Sequence, residues 1–258
     1  MLKYIIEASC SKAIYDPRKA GERAKMLRLG LIIPSSNTTM EQEFNKLSPE
    51  GFSVHTTRLK LKEITIEGLA EMEKEVEEEA VKLADAGVYV IGYGCTSGSL
   101  FRGLGHDKVT EARIERASGI PAVATAGAVV SALRALNIEK VAVATPYIDE
   151  INDLEEEFLS SNGFQVIDLK GLGIKDNIEI GRLDSQAAYE LVMKLRYADA
   201  DGVFISCTNF PTMDKTRELE DAIRIPVVSS NAATFWAMVR RGGISIEIKG
   251  FGKLLERI

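Results

Sequence analysis

Apolar and polar residues follow each other along the chain in blocks that predict strands and helices in turn. Short apolar runs predict strands, and longer segments with apolar positions at helical spacing predict helices. The predicted strands are Arg28–Ile33, Phe52–Arg58, Val88–Ile91, Lys140–Ala144, Gln165–Leu169 and Gly202–Ile205. The predicted helices are Thr65–Ala86, Gly127–Leu136, Ile148–Asn162, Ser185–Ala198 and Ala232–Arg241. Strands and helices that alternate with short connections favour an α/β fold with a right-handed, mostly parallel sheet.

The second half of the chain repeats the first. Leu29–Pro34 and Val141–Pro146 are apolar runs that end in proline, and they are spaced by 112 residues. Cys95 and Cys207 each follow an apolar run, precede a threonine, and have the same spacing. The Ile-Pro dipeptide that ends at Pro121 recurs 105 residues later. The repeat predicts two pseudo-symmetric lobes, each with a flavodoxin-like, mostly parallel sheet flanked by helices.

The length of the chain agrees with two such lobes. A chain of 258 residues accommodates two units of about 110 to 120 residues. The first lobe is predicted to comprise 28–124 plus 231–258, and the second 125–230. Residues 1–27 precede the repeat and are expected to form an N-terminal arm, either packed on the surface or mobile.

Composition and charge exclude several classes of protein. The chain is 45% hydrophobic and 27% charged, with a net charge of −6 and without a basic run, so nucleic acid is not an expected partner. No apolar stretch is long enough to span a membrane, and the start is too polar for a signal peptide, so a cytoplasmic location is expected. The three cysteines indicate reduced thiols rather than a disulfide framework, with Cys10 as a spectator outside the repeat.

Most other chemistries lack suitable residues. The acidic run Glu71–Glu79 contains lysine and is interpreted as a solvated helix face. His55 falls in a predicted strand and His106 in a loop beside a turn, so a cysteine-histidine dyad would require His106 to reach Cys95. The chain contains neither Cys-x-x-Cys nor His-x-x-x-His, and no metal site is predicted. Gly92–Gly98 departs by one position from a dinucleotide-binding motif, and its glycines fit a tight strand-to-helix turn.

The two repeated cysteines are the strongest candidates for chemistry. Ligands of open parallel sheets bind beyond the carboxyl ends of the strands, so Cys95 and Cys207 are predicted to face one cleft between the lobes. Backbone N–H groups and hydroxyls in Thr96–Ser99 and in Thr208–Asn209 are expected to lower the pKa of the thiols and to hold a substrate carboxylate. A thiolate opposite a thiol suits acid/base chemistry, or covalent attack followed by return of the proton.

Five segments together carry a resemblance to a known family. They are Ile33–Glu41 (Ile-Pro-Ser-Ser-Asn-Thr-Thr-Met-Glu), Cys95–Ser97, Asp176–Arg182, Ser206–Asn209 (Ser-Cys-Thr-Asn) and Pro226–Asn231. These motifs resemble maleate cis-trans isomerase, which is grouped with arylmalonate decarboxylase in the aspartate/glutamate racemase superfamily. The resemblance covers the chain from Arg28 to the C-terminus and leaves the N-terminal arm unexplained.

The resemblance implies a homo-oligomeric isomerase without a cofactor that acts on a small dicarboxylate. In this scheme the Cys95 thiolate adds to an alkene carbon of maleate, Cys207 protonates the neighbouring carbon, and rotation followed by elimination releases fumarate. The implied substrate-binding residues are Asn37, Thr96, Ser97, Tyr147, Asn177, Thr208 and Asn209. From the residues alone, Asn37 would be a helix cap and Asn177 a turn residue.

Two alternatives to the isomerase remain open at this point. One is a racemase or decarboxylase of a small carboxylate; the resemblance to the decarboxylase implies only the second cysteine, so Cys95 argues against that reaction. The other is a non-catalytic two-lobed protein that binds a dicarboxylate in its cleft.

Overall fold

The strands and helices are described from a computed structural model, which covers residues 4–8, 11–15, 26–246 and 248–257. The strands are β1 (Tyr4–Ala8), β2 (Ser11–Tyr15), β3 (Leu27–Pro34), β4 (Phe52–Leu59), β5 (Val90–Tyr93), β6 (Ala122–Ala124), β7 (Lys140–Thr145), β8 (Gln165–Gly171), β9 (Gly202–Ile205), β10 (Val227–Ser229) and β11 (Ile244–Ser245). The helices are α1 (Met40–Leu47), α2 (Ile66–Met72), α3 (Val76–Asp85), α4 (Thr96–Leu100), α5 (His106–Ser118), α6 (Thr125–Ala135), α7 (Asp149–Ser161), α8 (Asn177–Gly181), α9 (Ser185–Met193), α10 (Met213–Ile223) and α11 (Ser230–Arg241). Short 3₁₀ turns cover Glu73–Glu75 and Leu255–Arg257.

Two four-stranded sheets with the same strand order form the centre of the molecule. The first has the order β4-β3-β5-β6 and the second β8-β7-β9-β10, and all of their neighbouring strands are parallel. Equivalent strands therefore occupy equivalent places, as expected for a duplicated unit. The predicted fold class, two lobes with flavodoxin-like parallel sheets flanked by helices, is confirmed.

The shorter repeat spacing near Pro121 has a structural cause. The first lobe has two helices between β5 and β6, namely α4 and α5, whereas the second lobe has only α10 between β9 and β10. The short helix α4 directly after Cys95 is thus the additional element of the first lobe. Its presence makes the surroundings of the two cysteines unequal.

Part of the predicted N-terminal arm forms strands. β1 pairs antiparallel with β2 and with β11, in a small sheet apart from the two parallel ones. The strand β3 begins at Leu27, the last residue of the predicted arm. Cys10 lies outside the described residues.

The predicted helix Thr65–Ala86 is wrong in its continuity. Thr65 caps α2 by accepting a 3.1 Å hydrogen bond from the Gly68 N–H, and a 3₁₀ turn separates α2 from α3. At this turn the Glu73 side chain is only 14% exposed and contacts Arg113 and His106 of α5. The acidic run is therefore not a uniformly solvated face, because α5 packs over part of it.

The hydrophobic pattern does not predict the helices α5 and α10. The buried positions of α5 are His106, Asp107, Thr110 and Ile114, so the buried face is largely polar and lacks a hydrophobic stripe. His106 is accordingly the first residue of a helix and is buried, where the sequence predicted a loop.

The lobes are joined through a shared core. The helices α6 and α11 pack on each other, α6 also contacts β10, and α11 also contacts β5 and β6. One continuous cluster of buried apolar side chains includes residues of β3, β7, α6 and α11. Near the C-terminus, the Lys253 N–H donates to the carboxylate of Glu220 in α10. The two sheets are consequently held in one fixed arrangement, and the functional groups at their junction have fixed relative positions.

Candidate active site

Cys95 lies at the carboxyl end of β5 and caps the short helix α4. Its side chain is buried, and its Sγ accepts a 3.3 Å hydrogen bond from the Gly98 N–H. The Ser97 hydroxyl lies 3.8 Å from the same sulfur atom. A Cβ at Gly98 would lie 2.9 Å from Cys95 Sγ and 2.8 Å from Tyr93 Oη, so the close approach of this N–H to the sulfur requires glycine.

Cys207 occupies the equivalent place after β9 but has a different backbone conformation. Its φ is 87°, in the region that favours glycine, and such a conformation costs on the order of 1–3 kcal/mol. Its Sγ accepts a 3.3 Å hydrogen bond from the Asn209 N–H, and the Tyr147 hydroxyl also interacts with this thiol. Strain that persists at a buried thiol is a frequent feature of functional sites.

The pKa values of both thiols differ from the sequence-based expectation. Burial raises the pKa of Cys95 to about 11, and the Gly98 N–H and Ser97 oppose this only in part. Burial likewise raises the pKa of Cys207 to about 12 against the Tyr147 hydroxyl. The expected donors are present, but desolvation outweighs them. A thiolate at Cys95 also raises the pKa of Cys207, which favours having only one thiolate at a time.

Asn37 and Thr208 connect the two lobes beside the thiols. The Asn37 Nδ2 donates a 3.0 Å hydrogen bond to Thr208 Oγ1, and that hydroxyl donates a 3.0 Å bond to the Gly94 carbonyl. The Asn37 Oδ1 accepts bonds from the N–H groups of Thr39 and Met40 at the start of α1. The N-cap of α1 is Thr39, so Asn37 is not the predicted cap but holds the turn that leads into the helix; its amide retains one N–H beyond these contacts.

Asn177 and Asn209 organise the loop between β3 and α1. The Asn209 Oδ1 accepts a 2.8 Å hydrogen bond from the Thr38 N–H, and its Nδ2 donates to the Asn177 carbonyl at 2.6 Å. The Asn177 Nδ2 donates to Ser36 Oγ at 2.8 Å. The side chain of Asn209 is therefore used in contacts within the protein, and its backbone N–H is the group that reaches the Cys207 sulfur.

The remaining predicted residues divide into two groups by their contacts. Ser97 and Tyr147 point their hydroxyls at the two sulfur atoms. The Thr96 hydroxyl donates to Ser230 Oγ at 2.9 Å and so joins α4 to the start of α11. The structure brings the predicted residues together around the two thiols at the lobe junction, but only some of them face the sulfur atoms.

Several residues near the site were not singled out from the sequence. Ser36 and Ser230 receive hydrogen bonds from predicted residues, and both fall inside the motifs that carry the family resemblance. Tyr93 has a fully buried hydroxyl that lacks a hydrogen-bond partner among the described residues. Glu155 is a buried carboxyl bonded to Ser206 and carried by an amphipathic helix, where the hydrophobic pattern shows no sign of it.

His106 is not placed as a partner of Cys95. Its Nε2 lies 3.2 Å from Glu73 Oε2, and its ring packs edge-on against Phe101. Burial lowers the pKa of His106, with the charge of Glu73 acting in the opposite direction. His55, in β4, lies 3.0 Å from the Ser53 hydroxyl.

The described part of the chain contains neither a metal-binding cluster nor a helix suited to span a membrane. No group of three or more histidine, cysteine, aspartate or glutamate side chains there could hold a metal ion. None of the described helices is long and apolar enough to cross a membrane.

The fold and the paired thiols define a two-lobed α/β protein with a two-cysteine site at the junction of its lobes. The family model for arylmalonate decarboxylase matches residues 29–255. The chain therefore belongs to the arylmalonate decarboxylase family, and the resemblance seen in its motifs is confirmed.

Known relatives resemble the chain over most of its length. It is 32% identical over 245 residues to a maleate isomerase of Pseudomonas putida, across 90% of this chain and 98% of that protein. A cysteine-to-alanine variant of a Pseudomonas putida maleate isomerase, solved with maleate, matches with a TM-score of 0.87 at 31% identity, across 90% of this chain and 98% of that one. A cysteine-to-serine variant of Nocardia farcinica maleate cis-trans isomerase, which holds a covalently bound succinylcysteine intermediate, matches with a TM-score of 0.85 at 29% identity, across 89% and 98%.

Proposed function

We propose that the protein is a cofactor-independent cis-trans isomerase that converts maleate, or a similar cis-ene-dicarboxylate, to the trans isomer through a covalent cysteine adduct. The observation that carries this proposal is the pair of buried thiols at the lobe junction, each with one backbone N–H at 3.3 Å from its sulfur. The relatives named maleate isomerase and the relative with a succinylcysteine intermediate support the same reaction.

We assign the nucleophile to Cys95 and the proton donor to Cys207. This assignment follows the family resemblance; burial raises the pKa of both thiols, and a thiolate at Cys95 raises the pKa of Cys207 further, so that Cys207 keeps its proton. The Gly98 N–H and the Ser97 hydroxyl stabilise a thiolate at Cys95. The Tyr147 hydroxyl lies at Cys207 and can stabilise that sulfur after it has given up its proton.

The reaction is balanced without any other reactant. The Cys95 thiolate forms a C–S bond to one alkene carbon, the π bond breaks, and the neighbouring carbon takes the proton of Cys207. The central carbon-carbon bond is then single and rotates. The Cys207 thiolate removes a proton from the same carbon, the double bond forms again in the trans geometry, and the C–S bond breaks. Both thiols return to their starting states.

Neutral donors around the thiols provide the carboxylate contacts in this proposal. The first N–H groups of α4, at Thr96 and Ser97, lack acceptors within the helix because of its geometry. The amide of Asn37 retains one N–H, and Asn177, Thr208 and Asn209 hold the adjoining loop. We therefore place one carboxylate beside α4 and the other beside Asn37, Tyr147 and Asn177.

The direct test is to follow maleate by proton NMR under reducing conditions. We expect the cis-alkene signal to disappear and the trans-alkene signal to appear with the wild type, and neither change with Cys95→Ala or Cys207→Ala. If maleate and other 2-ene-dioates all stay unchanged with folded, reduced wild type, the proposed function is wrong.

The second candidate function is decarboxylation, the reaction after which the matching family is named. The same NMR assay tests it when an arylmalonate replaces maleate. An arylmalonate substrate would lose carbon dioxide and take up a solvent proton, with no alkene involved. Tight binding of maleate without turnover would instead identify a dicarboxylate-binding protein.

We also propose a homo-oligomer, a dimer or tetramer, in the cytoplasm, with lobes divided at residues 124 and 230. Support for the oligomer comes from the family resemblance alone. Light scattering after size-exclusion chromatography would test it, and a monomer at micromolar concentration would contradict it.

A further inference from the structure

Glu155 is a buried carboxyl group beside the Cys207 half of the site, and the proposed reaction does not use it. It lies on α7 and is 1% exposed. The Ser206 hydroxyl donates a 2.7 Å hydrogen bond to Glu155 Oε1, whereas Oε2 has no partner among the described residues. Ser206 directly precedes Cys207, so this hydrogen bond is one residue away from the reacting thiol.

The surroundings of Glu155 keep its carboxyl group neutral. Burial raises its pKa to about 8. Among the described residues, the hydrogen bond from Ser206 is the interaction that lowers this pKa. A buried carboxylate without a counter-charge is strongly disfavoured, so the group holds its proton instead. At neutral pH Glu155 is therefore a carboxylic acid.

The ionisable group that faces Glu155 from the site is Tyr147. A charge on Glu155 raises the pKa of Tyr147, and the Tyr147 hydroxyl interacts with Cys207. Ionisation of Glu155 would thus add a negative charge that acts on this hydroxyl. Glu155, which would carry this charge, is not one of the two reacting cysteines.

The other elements packed against α7 contribute no charge that compensates Glu155. The strand β8 carries Asp168 and Lys170, and Asp168 contacts both Lys170 and Arg196. The helix α4, which also packs on α7, has the sequence Thr-Ser-Gly-Ser-Leu and no ionisable side chain. The titration of Glu155 is therefore coupled to the site mainly through Tyr147.

The equivalent residue of the first lobe has a different role. Glu43 lies 112 residues before Glu155 and is also buried, but its carboxylate accepts three N–H bonds. They come from the backbone of Thr212 at 2.9 Å, the backbone of Met213 at 3.0 Å and the side chain of Asn231 at 2.6 Å. Glu43 is an acceptor that links helices, whereas Glu155 has one hydroxyl contact and an unpartnered oxygen.

We propose that Glu155 is a positioning residue: its buried carboxyl group accepts the Ser206 hydroxyl and so fixes the strained turn at Cys207, and its ionisation puts an uncompensated negative charge into the Cys207 half of the site. Measuring turnover as a test of this inference rests on the proposed function. The rate at which Cys207 reacts as a thiol can be measured whether or not the protein is an isomerase. Glutamine at position 155 tests the idea sharply, because it accepts from Ser206 and cannot ionise.

The experiment measures isomerisation from pH 6 to pH 9.5 for wild type, Glu155→Gln, Glu155→Ala and the control Glu156→Gln, which changes the exposed next residue of α7. With a midpoint near pH 8, Glu155 is about nine-tenths neutral at pH 7 and about one-tenth neutral at pH 9. We expect the ratio of the Glu155→Gln rate to the wild-type rate to rise about tenfold over that interval. The Glu155→Ala variant should lower kcat at every pH with little change in KM, and the ratio for Glu156→Gln should stay flat.

A second readout follows alkylation of Cys207 by iodoacetamide in a Cys95→Ala background, with and without Glu155→Gln. The same roughly tenfold change in ratio is expected between pH 7 and pH 9. If the wild type isomerises nothing, the proposed function fails while alkylation still tests Glu155. A constant Glu155→Gln ratio across the pH range, or wild-type kcat in folded Glu155→Ala, would overturn the inference. If Glu155→Ala does not fold, Glu155→Gln decides.

Discussion

The two halves of the site are built from equivalent elements, yet the groups around their two cysteines differ. Cys95 caps a short helix and has a hydroxyl-bearing serine nearby, whereas Cys207 has a strained backbone and a tyrosine hydroxyl. Glu43 is bound by three N–H groups, whereas Glu155 is bound by one hydroxyl. Duplication supplied two similar thiols, and local differences around them permit unequal roles.

Only a few residues of the sequence produce this asymmetry between the two half-sites. An additional helix, α4, and one tyrosine after β7 account for the different contacts of the two sulfur atoms. A reaction that adds a thiolate to one carbon and a proton to the next requires such inequality, because identical thiols would have identical proton affinities.

Removal of either thiol should have the largest effect on turnover. Both Cys95→Ala and Cys207→Ala should lower kcat by at least about a thousandfold, because one removes the nucleophile and the other the proton donor. Steady-state kinetics measures this, and circular dichroism checks the fold of each variant. A variant of either cysteine with near-normal turnover would contradict the paired mechanism.

Glu155→Gln should change the dependence of stability on pH. The pKa of Glu155 is raised from 4.5 to about 8 in the folded state, so the folded protein keeps a proton that the unfolded chain loses between these values. Stability therefore falls as pH rises from 4.5 to 8, by an amount on the order of 5 kcal/mol. Urea denaturation should show the variant equal to wild type near pH 4.5 and more stable at pH 9; parallel curves would contradict this.

Gly98→Ala should disturb the Cys95 half alone. The added Cβ would lie 2.8 Å from Met72 Cε and 2.9 Å from Cys95 Sγ, and overpacking of this kind costs about 1–3 kcal/mol. We expect slower alkylation of Cys95 and lower turnover, while Cys207 reacts at its usual rate. Gly242→Ala is the control, since the nearest atom to its Cβ is 3.3 Å away and it lies far from the thiols in the chain. Equal effects of the two variants on Cys95 would contradict the account.

The two tyrosines near the site should respond differently to loss of their hydroxyls. Tyr147→Phe removes the hydroxyl that interacts with Cys207 and should lower kcat by about tenfold, the equivalent of roughly 1.4 kcal/mol. Tyr93→Phe removes a buried hydroxyl without a partner, so the free energy of unfolding should stay the same or rise by less than about 1 kcal/mol. Marked destabilisation by Tyr93→Phe would show that its hydroxyl has a partner in solution.

The sequence predicts those parts of the fold that depend on local pattern. Apolar runs predicted the main strands, and the 112-residue spacing predicted that Cys95 and Cys207 follow equivalent strands of the two sheets. The helix α5 escaped this reasoning because its buried face is largely polar. The sequence pattern also does not predict the break between α2 and α3. The contact that holds Glu73 inward comes from Arg113 of α5, which is distant in the chain.

The candidate site was predictable in its members but not in their contacts. The motifs include Asn209, yet only the structure shows that its side chain holds Thr38 and Asn177 while its backbone N–H reaches Cys207. The raised pKa of each thiol depends on the balance between burial and donors, which no motif reports. Glu155 looks like any acidic residue of an amphipathic helix until its neighbours are known.

The unequal roles of the thiols can be tested most directly by intact-mass spectrometry of two single variants after incubation with maleate. We predict that Cys207→Ala gains the mass of one maleate molecule, with the adduct on Cys95, and that Cys95→Ala gains none. An adduct on Cys207 in the Cys95→Ala variant, with none on Cys95 in the other, would contradict the assignment of nucleophile and proton donor.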